Sequence, residues 1–130
     1  MPKILLAFDS FKDTLTAAKL SDVVKESLLE LLEGCEIESK PVSDGGQGFI
    51  VALTNSLHLT SVPSKAVGPL GDIIDTEYAF FQSPASGERV AVIEMAKVSG
   101  LELVPLEQRN PLNTTTHGLG QLIKTAQNEG

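Results

Sequence analysis

Lys3-Ile4-Leu5-Leu6-Ala7-Phe8 runs straight into Asp9-Ser10, and this opening stretch decides the fold. Ile4 to Phe8 is apolar at every position and of strand length. A strand wetted on one face alternates apolar and polar residues, whereas a continuous apolar run belongs to a strand buried on both faces, as in a parallel sheet. Downstream, Thr16 can cap a helix. Leu20, Val23, Val24, Ser27, Leu28, Leu31 and Leu32 recur at i, i+3, i+4 spacing, which predicts an amphipathic helix, and Gly34 can take the left-handed conformation that stops it. Glu36 to Val42 alternates weakly and reads as a second strand, with Pro41 marking an edge or a strand end. Ser43-Asp44-Gly45-Gly46-Gln47-Gly48 is a glycine turn leading into a short helix that carries Phe49, Ile50, Leu53 and Leu57. Residues 1–57 therefore read β-α-β-α, the alternation that builds a helix-covered parallel sheet.

Beyond this point the pattern changes. Leu59 to Val67 and Ile73 to Phe81 are strand-like and flank the turn residues Gly68-Pro69-Leu70-Gly71. Ser83 to Gly87 is a loop and Val90 to Ile93 a buried strand, so an antiparallel pair is expected here. Met95 to Leu101 allows a short helix ended at Gly100, and Leu119 to Asn128 a last helix, opened by Thr114-Thr115-Thr116-His117-Gly118. The fold class expected is α/β: a Rossmann-like parallel β-α-β-α start followed by part of a second α/β domain with a mixed sheet. The domain change is placed near Ala66, dividing the chain into residues 1–66 and 67–130.

Composition narrows the functions. The 130 residues carry a net charge of −7, which leaves little to neutralise a phosphate backbone and argues against nucleic-acid and anionic-membrane partners. At 42% hydrophobic and 21% charged residues the chain has globular composition, and with 5% aromatics and no Trp its core must be aliphatic. No apolar run approaches the roughly 18 residues needed to span a bilayer, and the apolar start is too short for a secretion signal. The single cysteine, Cys35, excludes an internal disulfide framework and a multi-cysteine metal site, and a cytoplasmic setting is expected.

In open α/β sheets ligands bind at the carboxyl ends of strands. Three acids fall there: Asp9 after the first strand, Asp44 after the second and Glu94 after Val90–Ile93. Carboxylates so placed can hold Mg²⁺, which takes oxygen ligands and keeps several waters, or accept a proton from a hydroxyl nucleophile. Each can equally cap the turn that follows it. The glycines of the 43–48 turn can let backbone amides of Gly45 and Gly46 cradle an anion, or simply form a turn. The turn is neither a Walker A loop nor GxGxxG, which sets aside a dinucleotide-binding oxidoreductase. Lys12, beside Asp9 and Ser10, can ground a phosphate or carboxylate, or be an ordinary surface lysine. Thr114 to His117 at a helix start can bind an anion or merely cap the helix.

Taken together these residues resemble the bacterial-type glycerate kinase family, specifically its amino-terminal portion. The resemblance rests on Ala7-Phe8-Asp9-Ser10-Phe11-Lys12-Asp13-Thr14-Leu15-Thr16-Ala17, Pro41-Val42-Ser43-Asp44-Gly45-Gly46-Gln47-Gly48, Gly68-Pro69-Leu70-Gly71, Ile93-Glu94-Met95-Ala96 and Ser99-Gly100-Leu101-Glu102-Leu103-Val104-Pro105. Arg109-Asn110-Pro111-Leu112 and Thr114-Thr115-Thr116-His117-Gly118-Leu119-Gly120-Gln121-Leu122-Ile123 complete an ordered set spanning nearly the whole chain. Phe8 stands where the family usually has Pro, and Gln47 and Gln121 where it usually has Glu. The resemblance implies two α/β domains, D-glycerate as substrate, ATP as phosphoryl donor and Mg²⁺ as cofactor. On the retained positions it places catalytic roles at Asp9, Lys12 and Asp44, substrate binding at Ser10, Gly45, Gly46 and Glu94, and metal binding at Asp44. Family members are longer, and their later glycine-rich segments have no counterpart here. The competing expectation is a non-catalytic truncated domain or binding module, inactive alone, that needs the missing carboxyl-terminal portion or forms a homo-oligomer.

Overall fold

A computed structural model describes residues 1–11, 14–54 and 56–130. The chain folds as mixed α/β in two compact units, Met1–Ser56 and Leu57–Gly130. The division falls ahead of Thr60–Val67 because that strand pairs along its whole length with Ile73–Gln82, so both must lie in one unit.

In the first unit β1 (Lys3–Leu6) and β2 (Glu36–Ser39) pair in parallel, with Lys3 opposite Glu36 and Leu6 opposite Ser39. Main-chain bonds continue past the regular strands: Lys40 N–H donates to Leu6 O at 2.8 Å and Val42 N–H to Phe8 O at 3.0 Å. The crossover is α1 (Ala17–Leu31), capped by Thr16, whose hydroxyl oxygen accepts the Lys19 N–H at 3.2 Å. α2 (Phe49–Thr54) follows the glycine turn. The expected apolar stripe of α1 is wider than the surface beneath it. Val23, Leu31 and Leu32 are exposed, and Ser21, bonded to Ala17 O, is the one fully buried residue of the helix. Two strands offer a platform only about 10 Å wide, enough for one row of helix side chains. Leu6 and Ile50 supply the other buried positions.

The second unit holds an antiparallel sheet in the order β3 (Thr60–Val67), β4 (Ile73–Gln82), β5 (Arg89–Val92). The β3–β4 turn closes with Gly68 N–H on Asp72 O at 2.7 Å, and Gly71 sits at φ +93°, a left-handed conformation that favours glycine. Pro63 falls mid-way along β3, which its place at the edge of the sheet permits. Short α3 (Ala96–Ser99) leads through two single 3-10 turns to α4 (His117–Asn128), which starts two residues ahead of the expected Leu119.

Ala66, Tyr78, Val98, Leu122 and Ala126 form the core, ringed by Val62, Ile74, Ile93 and Leu119. The cross-strand pairs Val62–Tyr78 and Ala66–Ile74 place β3 and β4 residues on one face with the period of two that a half-buried sheet requires. α4 covers this face at close range: a Cβ on Gly118 would overlap the carbonyl oxygen of Val67. β5 pairs only with Ala79–Gln82, and α3 packs against β4, where the Thr76 hydroxyl donates to Lys97 O at 3.3 Å and the Lys97 ammonium bonds the Glu77 carboxylate. Among the described residues no helix is long and apolar enough to cross a membrane.

Candidate active site

The parallel pairing of the first unit carries the two chain reversals that follow β1 and β2 to the same end of the sheet. Because the ladder continues to Phe8 and Val42, Asp9 and Asp44 emerge close together. The Asp44 N–H donates to Asp9 Oδ2 at 3.1 Å, and Asp9 Oδ1 accepts the Ser10 N–H at 2.7 Å, with the Ser10 hydroxyl at 3.4 Å. Asp9 and Ser10 are half-buried and Asp44 is exposed. The two aspartates thus share one corner of one unit, tied by a bond across 35 positions of sequence.

The glycine turn takes its shape from its own side chains. Gly46 N–H donates to Asp44 Oδ1 at 2.9 Å, and Gly45 N–H to Ser43 Oγ at 3.3 Å. Gly45 at φ +99° and Gly48 at φ +83° hold left-handed conformations. Both amides that could cradle an anion are therefore occupied by local acceptors in this state. Lys12 lies outside the described residues.

Glu94 belongs to the second unit. It follows β5, is 2% exposed, and its carbonyl accepts the Lys97 N–H at 3.1 Å. In the same unit the start of α4 is fastened to the β3–β4 turn: Thr115 N–H donates to Pro69 O at 3.0 Å, and Val67 N–H to Gln121 Oε1 at 2.8 Å. The Thr115 hydroxyl accepts the His117 N–H at 3.1 Å, so part of the threonine run caps the helix. Gln121, expected only as the loss of an acid, has a structural task that its amide oxygen performs without charge.

A feature the sequence did not flag is the Ser61–Glu77–Lys97 cluster. Lys97 and the Ser61 hydroxyl both donate to Glu77, and the Lys97 bond first and the Ser61 bond second hold its carboxyl below the usual range. Likewise Tyr78, buried in the core, donates to the Glu129 carboxylate, and that bond, followed by burial, pushes the phenol above its ordinary value. Arg89 lies over the Phe80 ring at 3.7 Å and donates to Glu129 O at 2.6 Å, closing α4 onto the sheet.

Among the described residues no group of three or more His, Cys, Asp or Glu side chains converges as a metal cluster. Asp9 and Asp44 offer an oxygen-only pair. That set fits Mg²⁺, which commonly takes one or two carboxylates and fills its shell with water and substrate oxygens.

Fold and corner together define an α/β protein with an acidic, glycine-lined turn at the carboxyl end of a parallel strand pair. The chain matches the glycerate kinase family over residues 4–130. It is 40% identical to a glycerate kinase of Halalkalibacterium halodurans across 100% of this chain and 33% of that protein. It is 36% identical to a glycerate 2-kinase of Escherichia coli K12 across 98% of this chain and 32% of that protein. A crystal structure described as glycerate kinase 2 from Salmonella typhimurium LT2 superposes with a TM-score of 0.68 at 35% identity, covering 98% of this chain and 33% of the other. The chain belongs to the glycerate kinase family, and it spans about a third of the length of the curated relatives it matches.

Proposed function

We propose that this chain is the amino-terminal portion of a cytoplasmic glycerate 2-kinase, which transfers the γ-phosphoryl group of ATP to the 2-hydroxyl of D-glycerate and yields 2-phosphoglycerate. The observation that carries the reading is the bond from Asp44 N–H to Asp9 Oδ2, which unites two strand-end carboxylates in one corner. Family membership supplies the substrate class.

Phosphoryl transfer depends mainly on positioning and on charge stabilisation. The substrate 2-oxygen forms a bond to the γ-phosphorus while the bond from that phosphorus to its bridging oxygen breaks and ADP leaves. The hydroxyl proton passes to a carboxylate of the corner. Asp9, with both oxygens engaged by main-chain amides, fixes the shape of the corner. Asp44 is exposed and uses Oδ1 on Gly46, which leaves lone pairs for a metal or a proton. Magnesium would neutralise phosphate charge, and Asp44 is the residue that would hold it. Ser10 and the turn at Gly45 and Gly46, once their amides are released from Ser43 and Asp44, bind the substrate's anionic end, and Lys12 steadies a carboxylate or phosphate.

In a full-length protein carrying this sequence, Asp44→Asn and Lys12→Ala are each expected to lower glycerate-dependent ADP release by about a hundredfold or more. Near-normal turnover in both variants removes the assignment. A second reading, a domain inactive by itself that needs a partner chain, is favoured by the third-length match and by the thin burial of the first unit. The same assay on the 130-residue chain is expected to show no turnover.

A further inference from the structure

The sheet of the second unit is wider than the helix that covers it. A helix with its side chains is about 10–12 Å across and strands lie about 4.8 Å apart, so one helix roofs about two strands. α4 packs against β3, and its Leu122 and Ala126 join Ala66 and Tyr78 in the core. β5 is the third strand. Phe80 follows Tyr78 by two positions and pairs with Ala91, so both continue the face on which the core sits. Ala91 is too small to fill the space above it, and Ile123 on the flank of α4 stays 52% exposed. The result is a groove of about 360 Å³ between α4 and the β4–β5 pair. Phe80, Ile93, Ile123 and Ala126 make its apolar walls, and Arg89 and Gln127 are its polar residues.

Arg89 is the group that tells what the groove would take. Its guanidinium lies over the Phe80 ring at 3.7 Å, and one nitrogen donates to Glu129 O at 2.6 Å. A guanidinium has five N–H donors in a rigid fork, so most of its donors have no protein acceptor. Among the described residues no carboxylate lies within ion-pair distance of it, although the chain carries a net charge of −7. The nearest acid, Glu129, accepts the Tyr78 hydroxyl instead. We propose that this groove is a binding site for a small carboxylic acid whose apolar body is about the size of one aromatic ring. The carboxylate takes the bidentate place on Arg89, and the Gln127 amide is a further donor beside it. The body lies between Ile123 and the floor formed by Phe80 and Ala91. The volume is at the small end of the range of about 300–1,000 Å³ typical of ligand pockets, which sets the size of the occupant. The site lies wholly within the second unit and stands independently of the kinase reading.

The test titrates the isotopically labelled 130-residue chain with sodium benzoate and follows the amide signals. Benzoate is expected to bind saturably with a Kd of about 1 mM or below, the affinity that so few heavy atoms can supply. The signals of Arg89, Ala91 and Ile123 should move most. Benzyl alcohol, which keeps the ring, and acetate, which keeps the charge, should each bind at least about tenfold more weakly. Arg89→Gln should weaken benzoate at least about tenfold. Because Arg89 also helps to close α4 onto the sheet, Ala91→Leu supplies a second variant. It fills the floor of the groove at an exposed position outside that contact, and it should abolish binding while keeping the unfolding midpoint. Lys65→Gln removes a cation elsewhere in the unit and should leave the Kd unchanged. The proposal is overturned by the absence of saturable shifts up to about 20 mM benzoate, or by shifts confined to other residues. It is equally overturned if benzyl alcohol or acetate matches benzoate, or if Ala91→Leu binds benzoate as the unchanged chain does.

Discussion

At the scale of single residues, the second unit is set by how closely α4 approaches β3. Gly118 and Gly120 lie two positions apart in one helix, yet a Cβ at Gly118 would strike backbone and a Cβ at Gly120 would meet open space. Gly118→Ala is therefore expected to cost about 1–3 kcal/mol or more, because a main-chain carbonyl cannot swing aside as a side chain can. Gly120→Ala is expected to be neutral or to stabilise by about 0.5–1 kcal/mol, since alanine restricts the unfolded chain and suits a helix interior. Urea unfolding of both variants, read by the helical signal, checks the contrast. Gln121 shows why a familiar acid position need not carry an acid. The Val67 amide wants an oxygen, and the side-chain amide supplies one without the cost of desolvating a charge.

At the scale of elements, two side-chain clasps hold helices to the sheet, and they respond to opposite ends of the pH range. Lys97 on α3 and Ser61 on β3 keep the Glu77 carboxyl below its usual value of 4.5. A carboxyl with a depressed folded value contributes stability that is present above the unfolded value and lost as pH falls through the folded one. α3 should therefore loosen below about pH 4.5. The Tyr78 phenol, raised by its bond to Glu129, works the other way: its contribution is present below about pH 10 and lost as pH climbs through the raised value. Unfolding midpoints measured from pH 3 to 11 should fall at both ends, with Glu77→Gln flattening the acid limb and Tyr78→Phe the alkaline one.

These clasps also mark where sequence reading ran out. The Thr16 cap, the parallel β1–β2 start, the β3–β4 turn and the meeting of Asp9 with Asp44 follow from local patterns, since each depends on a cap, a periodicity or the rule that parallel strands end on one side. The width of the buried face of α1 does not, because it depends on how many strands lie beneath the helix. The Glu77–Lys97 pair, 20 positions apart, depends on α3 lying against β4, and no spacing announces that. The internal bonds of the 43–48 turn were open to either reading, an anion cradle or a self-capped turn, and the second describes its present state.

For the whole molecule, the two units differ in how much they bury. The second has a contiguous core with Val98 and Leu122 fully enclosed, while the first encloses Leu6, Ser21 and Ile50. Hydrogen exchange of the 130-residue chain should therefore be slowest at β4 and α4 and faster throughout β1, β2 and α1. Equal protection in both units would contradict this. Leu122→Ala, which empties an enclosed site, is expected to cost about 2–5 kcal/mol and to affect the second unit alone.

Pro63 has a last consequence. It interrupts the outer rim of β3 where an unbroken row of amide donors would otherwise invite a stranger's backbone, and Lys65 two positions on adds charge to the same rim. The chain thus carries its own gatekeeper against fibrillar growth from this sheet. Pro63→Thr, which restores the missing donor, should shorten the lag before amyloid-dye fluorescence appears on prolonged incubation.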